Sequence, residues 1–401
     1  MDREAIKKVS RIVIKLGSST LTNDGNGLDQ NFINSICHQV SQMQDLGKEI
    51  VIVSSGAIAE GILRLGLNLH SRKIDQLQTA AAVGQTGLMN CYDRCFRNYD
   101  RKTAQILIDH DDFANRKRYL NARNLIKNLI SLGVIPIINE NDSVSTEEIR
   151  FGDNDSLAAL IANLIDADVL LLLTDRDGLY SADPTHDNDA RLISSIAIED
   201  KKLEKYAGGA GLLGRGGMVS KIKAAKIAAN SGCETLIAGG RVDNVIQRLM
   251  DCEELGTFLY SNQRPLTARK QWLLGQLKHS GCLVIDPGAV EAIKEKNFSL
   301  LPIGIIKVIG SFKRGELVKC VDKDDCEVAR GLVNYDSSET RLIAGTASSE
   351  IVNILGYQEN DTIIDKDDLL IYLSGSGNSL NLVNCAKKAK LRNIRQAALT
   401  G

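Results

Sequence analysis

Carboxylate and carboxamide side chains crowd into two short stretches between residues 134 and 155. The apolar run VIPII at 134–138 leads directly into Asn139, Glu140, Asn141 and Asp142, and the sequence GDND follows at 152–155. Many acceptors with a few amide donors suit a small zwitterion, because an ammonium group pairs with carboxylates and a carboxylate pairs with N–H groups. Asn and Asp are also common turn formers, but the second cluster favours a binding site.

A lysine and several small residues follow the first two apolar runs. Lys15 ends the run RIVIK, and Gly17-Ser18-Ser19 offers backbone N–H groups to phosphate oxygens. Ser54-Ser55-Gly56-Ala57 follows the run EIVIV in the same way, at the predicted start of a helix, where anions bind. A lysine after a strand is often only a surface residue, so Lys15 alone does not establish a phosphate site.

A run with six glycines spans residues 207–217 and leads into a predicted helix with Met218 and Lys221. Glycines let the backbone approach a polyphosphate, and a lysine about one turn into the helix can reach a transferring phosphoryl group. No Walker A sequence occurs, so a P-loop enzyme is excluded. Thr174 and Asp175 follow the most apolar run, DVLLLL, and could hold a ribose or phosphates; a plain turn is the alternative.

The elements that must position these residues alternate between strand and helix up to about residue 260. Strands are predicted at 11–16, 49–53, 105–108, from 134, at 168–174 and at 235–238, and helices at 29–46, after 56, at 74–96, at 117–132 and from 218. This alternation predicts an α/β fold, a three-layer sandwich around a mostly parallel sheet. Ligands of such sheets bind beyond the carboxyl ends of the strands, where the polar clusters stand.

The pattern changes after residue 265. From about 281 to 356 the segments are short, rich in Val, Ile and Gly, and separated by the turn signals Asp286-Pro287-Gly288 and Lys313-Arg314-Gly315. A separate, small β-rich domain is therefore predicted.

Composition excludes several classes of protein. The chain has 401 residues, 43% of them hydrophobic and 25% charged, with a net charge of −1. That is typical of an ordinary globular protein with no general attraction to nucleic acid or anionic membranes. No apolar stretch approaches the roughly 20 residues that span a bilayer, and no export signal is visible. Nine scattered cysteines without a metal-binding pattern predict reduced thiols and a cytoplasmic location.

Six segments, in this order and at these spacings, closely resemble the glutamate 5-kinases of the amino acid kinase family. They are VIKLGSS, IVIVSSGAIA, INENDSV, FGDNDSLAAL, LLLTDRDGLYSADP and GRGGMVSKIKAA, and the resemblance covers about residues 8–270. It implies the amino acid kinase fold for a domain at 1–270. It also implies transfer of the γ-phosphoryl group of ATP to the side-chain carboxylate of L-glutamate, the first step of proline biosynthesis. A kinase for another small carboxylate is the alternative.

The resemblance implies a role for each residue at a matching position. The catalytic residues would be Lys15, Lys221 and Asp153, with Asp153 orienting the two lysines. The substrate-binding residues would be Ser55, Asp142, Asn154, Asn139 and, behind those that touch glutamate, Asp155. The nucleotide-binding residues would be Lys15, Thr174, Asp175, Leu213, Gly214, Arg215, Gly216, Gly217, Met218 and Lys221. Mg²⁺ would be carried on the ATP phosphates, with no metal-binding residues in the protein.

The same resemblance implies inhibition by proline and a homo-oligomer, either a dimer or a tetramer. Arg215 departs from the family pattern, which often has Thr before the two glycines.

The β-rich region at 278–358 resembles a PUA domain in its DPGAVEAI start and SLLPIGI run. RNA binding through this domain is a second hypothesis. Residues 280–358 contain nine Lys/Arg and eleven Asp/Glu, a net charge of −2, which argues against a strong RNA site because phosphate contacts dominate nucleic-acid affinity. Residues 359–401 are predicted to form a C-terminal extension whose basic, helix-prone end is a solvated helix or a docking surface for an acidic partner.

Overall fold

The computed structural model describes residues 3–22, 27–67, 73–144, 154–187, 189–206, 217–262, 280–296 and 298–371. The chain divides into two compact units. The first consists of Met1–Ala114 and Ala122–Pro265, and the second of Asn115–Asn121 and Leu266–Gly401. None of the helices within the described ranges is long and apolar enough to cross a membrane.

The first unit is built on an eight-stranded sheet with the strand order β3-β4-β2-β1-β5-β7-β8-β6. Its strands are β1 (Arg11–Leu16), β2 (Glu49–Ser54), β3 (Thr103–Ile108), β4 (Ile135–Glu140), β5 (Val169–Thr174), β6 (Ser195–Ala197), β7 (Glu234–Gly239) and β8 (Thr257–Tyr260). Among the described strand pairs of this sheet, only β7 with β8 is antiparallel. The prediction of a mostly parallel sheet is confirmed.

Helices cover the sheet and connect its strands. They are α1 (Ser18–Leu21), α2 (Gln30–Asp45), α3 (Ala57–Leu65), α4 (Ile74–Arg97), α5 (His110–Ala114), α6 (Arg116–Ser131), α7 (Asp155–Ile165), α8 (Lys202–Tyr206), α9 (Met218–Ala229) and α10 (Val245–Met250), with a 3₁₀ turn at Arg3–Lys8. These bounds agree with the predicted helices to within a few residues. Asp29 caps α2 by accepting a hydrogen bond from the backbone N–H of Phe32 at 3.0 Å.

Both faces of the central strands are buried. Ile12 and Ile14 of β1 pack in one cluster with residues of α2 and α4. Val13, which points to the opposite face, is equally buried but lies outside that cluster, and α7 contacts β1 and β5. Every residue of β5 is buried, as a parallel strand between two helical layers requires. The fold is therefore the predicted three-layer sandwich.

Helices α3 and α4 cross with their backbones in contact. A Cβ atom added to Gly61 would lie 1.7 Å from the carbonyl oxygen of Ala80, and one added to Gly84 would lie 1.8 Å from that of Ala57. Only glycine permits this approach at either position, and the crossing holds the middle of α4 close to the start of α3.

The second unit has a five-stranded sheet with the order β10-β9-β11-β12-β13 and its own hydrophobic core. Its elements are β9 (Gly281–Ile285), α11 (Pro287–Lys296), β10 (Ile305–Gly310), β11 (Leu317–Val321), β12 (Glu327–Leu332), α12 (Ser337–Ile343), α13 (Ile351–Leu355) and β13 (Leu369–Ile371), with 3₁₀ turns at Pro302–Gly304, Ser348–Glu350 and Lys366–Asp368. The small β-rich domain expected from the sequence is confirmed.

Two details of this unit differ from the sequence reading. The sequence Asp286-Pro287-Gly288 does not form a turn between strands but starts α11. Asp286 accepts a hydrogen bond from the backbone N–H of Ala289 at 2.7 Å. Pro287 occupies the first helical position, where the missing N–H has no partner within the helix to lose. In addition, β13 pairs with β12, and Ile363 and Ile364 belong to the core, so the sheet extends past residue 358.

Candidate active site

Three charged side chains from separate elements meet at the carboxyl end of β1. Lys15 is near the end of β1, Asp155 is the first residue of α7, and Lys221 lies in the first turn of α9. Lys15 Nζ is 2.6 Å from Asp155 Oδ1, and Lys221 Nζ is 3.1 Å from Asp155 Oδ2. The carboxylate thus bridges the two ammonium groups.

All three side chains of this bridge are buried, with 7% of Lys15, none of Asp155 and 8% of Lys221 exposed. Buried charges need partners, and Asp155 is a partner of both lysines. Ser220 also donates a hydrogen bond from Oγ to Asp155 Oδ2 at 2.9 Å. Two ammonium groups held side by side in a secluded place favour the binding of an anion beside them.

A chain of side-chain amides lies at the ends of β2 and β4. Asn154 Nδ2 lies within hydrogen-bonding distance of three acceptors: Asn139 Oδ1 at 2.8 Å, the Ser54 carbonyl oxygen at 3.1 Å and Ser55 Oγ at 3.2 Å. Asn139 Nδ2 in turn donates to Gln85 Oε1 on α4 at 2.9 Å. Asn139, Asn154 and Ser55 are buried, so the structure brings three of the predicted substrate-binding residues together.

Two acidic residues at the end of β4 and just after it are also buried. Glu140 is 2% exposed and Asp142, in the turn after β4, is 4% exposed. Carboxylates at such positions are retained where they meet a partner or a ligand.

The predicted nucleotide contacts divide between described and undescribed residues. Thr174 ends β5 and donates a hydrogen bond from Oγ1 to Asp175 Oδ1 at 2.9 Å. Gly217 is the N-cap of α9 and supplies no side-chain cap, so Met218 and Val219 present backbone N–H groups at the positive end of the helix dipole. Five predicted site residues lie outside the described residues: Asp153, Leu213, Gly214, Arg215 and Gly216.

No group of three or more His, Cys, Asp or Glu side chains in the described part of the chain could hold a metal ion.

The family assignment follows from residues 10–239, which match the amino acid kinase family. The chain belongs to the amino acid kinase family. Within this amino acid kinase, residues 281–355 also match the PUA domain. The resemblance predicted from the six motifs is thereby confirmed.

Similar proteins align with this amino acid kinase over nearly their whole length. The glutamate 5-kinase of Chromohalobacter salexigens is 51% identical over 92% of this chain and 98% of its own. The glutamate 5-kinase of a Janthinobacterium species is 52% identical over 91% of this chain and 99% of its own. The crystal structure of UMP kinase from Bacillus anthracis superposes with a TM-score of 0.44 at 16% identity, covering 63% of this chain and 97% of that one.

Some contacts in this amino acid kinase were not expected from the sequence. Asp155, expected behind the residues that touch glutamate, contacts both lysines, whereas Asp153, expected to orient them, lies outside the described residues. Ser220 and Gln85 were not predicted at all. Ser220 is adjacent to Lys221 in sequence and could have been noticed as a hydroxyl in the first turn of a phosphate-facing helix. Gln85 gave no signal, because it stands in an Ala/Gln/Leu-rich stretch that is typical of any helix.

Proposed function

We propose that this protein transfers the γ-phosphoryl group of ATP to the side-chain carboxylate of L-glutamate. The product would be glutamyl 5-phosphate, the first intermediate of proline biosynthesis. The observation that carries the proposal is the buried bridge of Lys15, Asp155 and Lys221. Relatives at about 50% identity over nine-tenths of the chain are named glutamate 5-kinases, which supports the choice of acceptor.

The chemistry needs little beyond positioning and charge. The acceptor carboxylate is already a nucleophile, so no general base is required. Its oxygen forms a bond to the γ-phosphorus while the bond from that phosphorus to the β–γ bridging oxygen breaks, and ADP leaves with the electron pair. The main obstacle is repulsion between two anions, and phosphoryl transfer is catalysed mostly by positioning and electrostatic stabilisation. Lys15 and Lys221 would supply that stabilisation from separate elements.

Asp155 has a positioning role in this proposal. By contacting both ammonium groups, it keeps two like charges near each other in a buried place where they would otherwise repel. Ser220 holds the same carboxylate from the side of α9. The lysines are therefore preorganised before either substrate binds, which is what transition-state stabilisation requires.

ATP would lie between β5 and the start of α9. Thr174 and Asp175 are placed to contact its ribose or phosphates, and the uncapped N–H groups that begin at Met218 suit phosphate oxygens. Leu213, Gly214, Arg215, Gly216 and Gly217 complete the nucleotide-binding segment in this proposal. Mg²⁺ would be bound by the ATP phosphates and water, as is usual for this ion.

Glutamate would be held by Ser55, Asn139, Asp142 and Asn154, and Asp153 would orient the two lysines. Buried amides and a buried carboxylate suit a substrate that carries an ammonium group and two carboxylates. We further propose inhibition by proline, assembly into a dimer or tetramer, and action in the cytoplasm.

A hydroxamate assay tests the proposal. The protein is incubated with ATP, Mg²⁺, hydroxylamine and one acid at a time, so that any acyl phosphate is trapped as a hydroxamate, which is detected as its coloured iron(III) complex. We expect hydroxamate from L-glutamate and little from L-aspartate. Hydroxamate from aspartate but not from glutamate would show that the acceptor is a different carboxylate. Repeating the assay with added proline tests the inhibition.

A further inference from the structure

The orientation of the amide groups at Asn139 and Asn154 is set by backbone atoms. The backbone N–H of Glu140 lies 2.9 Å from Asn139 Oδ1, and a backbone N–H can only donate. The carbonyl oxygen of Ser54 lies 3.1 Å from Asn154 Nδ2 and can only accept. Since Asn154 Nδ2 also donates to Asn139 Oδ1, each amide has one orientation that leaves no donor facing a donor.

Gln85 completes this arrangement. With Asn139 Oδ1 directed at Glu140 and Asn154, the Asn139 Nδ2 group points to Gln85 Oε1 at 2.9 Å. Both residues are buried, with Gln85 9% and Asn139 2% exposed. If Gln85 lost its acceptor oxygen, Asn139 would keep a buried N–H without a partner or would turn its N–H group towards the donors of Glu140 and Asn154.

The arrangement decides what Asn154 can offer to a ligand. Its Nδ2 group has two hydrogens and already faces three acceptors within 3.2 Å. Its Oδ1 atom is buried and has no hydrogen-bond partner among the described residues. Asn154 therefore presents an acceptor, and a ligand group that pairs with it must donate a hydrogen bond.

We propose that Gln85 is a positioning residue for the substrate, acting through Asn139 to hold Asn154 Oδ1 as the acceptor for the α-ammonium group of glutamate. This inference rests on the proposed function and adds to it. It makes Gln85 a determinant of selectivity for amino dicarboxylates over dicarboxylates without an amino group. The close crossing of α3 and α4 at Gly84 places Gln85 at this position.

The test compares Gln85→Met, which removes the acceptor oxygen at similar volume, with Gln85→Glu, which keeps one. Gln76→Met is the matched control, because Gln76 lies on the same helix but two and a half turns away, on the opposite side. The measurements are kcat, the KM values for glutamate and ATP, and the inhibition constant of glutarate, which lacks the ammonium group.

For Gln85→Met we expect the KM for glutamate to rise about tenfold or more, as for loss of a hydrogen bond to a charged group. The KM for ATP and the glutarate inhibition constant should change by less than about threefold, on the same argument. Gln85→Glu should recover most of the glutamate affinity, and Gln76→Met should behave like the unmodified protein.

The outcomes separate the inference from the proposed function. If the unmodified protein forms no hydroxamate with glutamate, the proposed function fails. If it does, but Gln85→Met weakens glutamate and glutarate equally or leaves both unchanged, the role of Gln85 is wrong. The melting curve of Gln85→Met shows whether that variant is folded. If it is not, Gln85→Glu decides. A Gln85→Glu variant that melts like the unmodified protein but has a glutamate KM raised about tenfold or more would also overturn the inference.

Discussion

At the scale of single residues, the carboxylate of Asp155 allows two buried lysines, Lys15 and Lys221, to lie close to each other. A lysine that is less than a tenth exposed pays a desolvation cost unless an anion is within reach. Asp155 contacts both Lys15 and Lys221 and is itself fully buried. The position of each lysine thus depends on the same acidic residue, and the three form one functional group.

Replacing either lysine of the bridge should abolish most of the activity. For Lys15→Met and for Lys221→Met we expect kcat in the hydroxamate assay to fall at least about 100-fold, by analogy with removal of one transition-state donor. Lys226→Met is the matched control, because Lys226 lies on the same helix as Lys221 but forms a surface ion pair with Glu204. A Lys221 variant that kept kcat within about threefold would contradict the proposed role of the bridge.

Glu234, at the start of β7, gives a prediction on pH and stability. Burial raises the pKa of Glu234 to about 7, against about 4.3 in an unfolded chain. A raised pKa in the folded state means that this group stabilises the protein fully below about pH 4.3 and that the contribution is lost as pH rises through about 7. Glu234→Gln cannot ionise, so its melting temperature should exceed that of the unmodified protein at pH 8 and nearly equal it at pH 4.

The control for this prediction is Glu204, whose pKa is shifted in the opposite direction. Lys226 lowers the pKa of the exposed Glu204 carboxyl through a hydrogen bond and its charge. Glu204→Gln should therefore give no gain in melting temperature at pH 8. If the melting temperatures of Glu234→Gln and the unmodified protein differed equally at both pH values, burial of Glu234 would not control the pH dependence of stability.

At the scale of elements, the crossing of α3 and α4 links packing to the site. Gly61 and Gly84 bring the two helix backbones together, and Gln85 follows Gly84 directly. A side chain at either glycine would push α4 away from α3 and would move Gln85 relative to Asn139. Stability and substrate binding therefore depend on the same contact.

Gly84→Ala should destabilise the first unit by about 1–3 kcal/mol, the usual cost of overpacking. That corresponds to a melting temperature lower by several degrees, at roughly 2–4 °C per kcal/mol for a unit of this size. Gly87→Ala is the control on the same helix, because its Cβ atom would meet the end of the flexible Arg64 side chain instead of a backbone. Equal losses for the two variants would mean that the backbone contact is not the cause.

At the scale of the whole molecule, the two units each have a hydrophobic core of their own. Every described residue of the candidate site belongs to the first unit. The second unit is therefore not needed to assemble the bridge or the amide chain.

A chain truncated after residue 265 should keep the glutamate kinase activity. We expect its kcat in the hydroxamate assay to stay within about tenfold of that of the full chain, a difference of about 1.4 kcal/mol in the activation free energy. Circular dichroism shows whether the shortened chain is folded. A folded fragment with a loss greater than about 100-fold would mean that the second unit contributes to catalysis.

The PUA domain should bind RNA weakly at most. Residues 280–358 carry a net charge of −2, and phosphate contacts supply most of the affinity for nucleic acids. In a filter-binding assay at low salt we expect little retention of RNA by the full chain. Tight retention that falls steeply with added salt would contradict this expectation.

Much of the fold could be predicted because it depends on local patterns. The run VLLLLT of β5 is apolar throughout, and such a run has few alternatives to a strand buried on both faces. Helix α2 shows apolar residues at helical spacing after an Asp that caps it. The local pattern was misleading at Asp286-Pro287-Gly288, because this sequence suits both a turn and the start of a helix. In the structure it starts a helix.

The sequence by itself determined the family, the kind of fold and the residue types of the site, because strands, helices and the Lys, Asn and glycine motifs are encoded in short stretches. Only the tertiary structure decided that Asp155 contacts both lysines and that Gln85 orients Asn139. Both contacts join segments that are distant in the chain. Both contacts depend on strand register and helix packing, because a small shift of one element would break a hydrogen bond. No local sequence pattern specifies positions so closely.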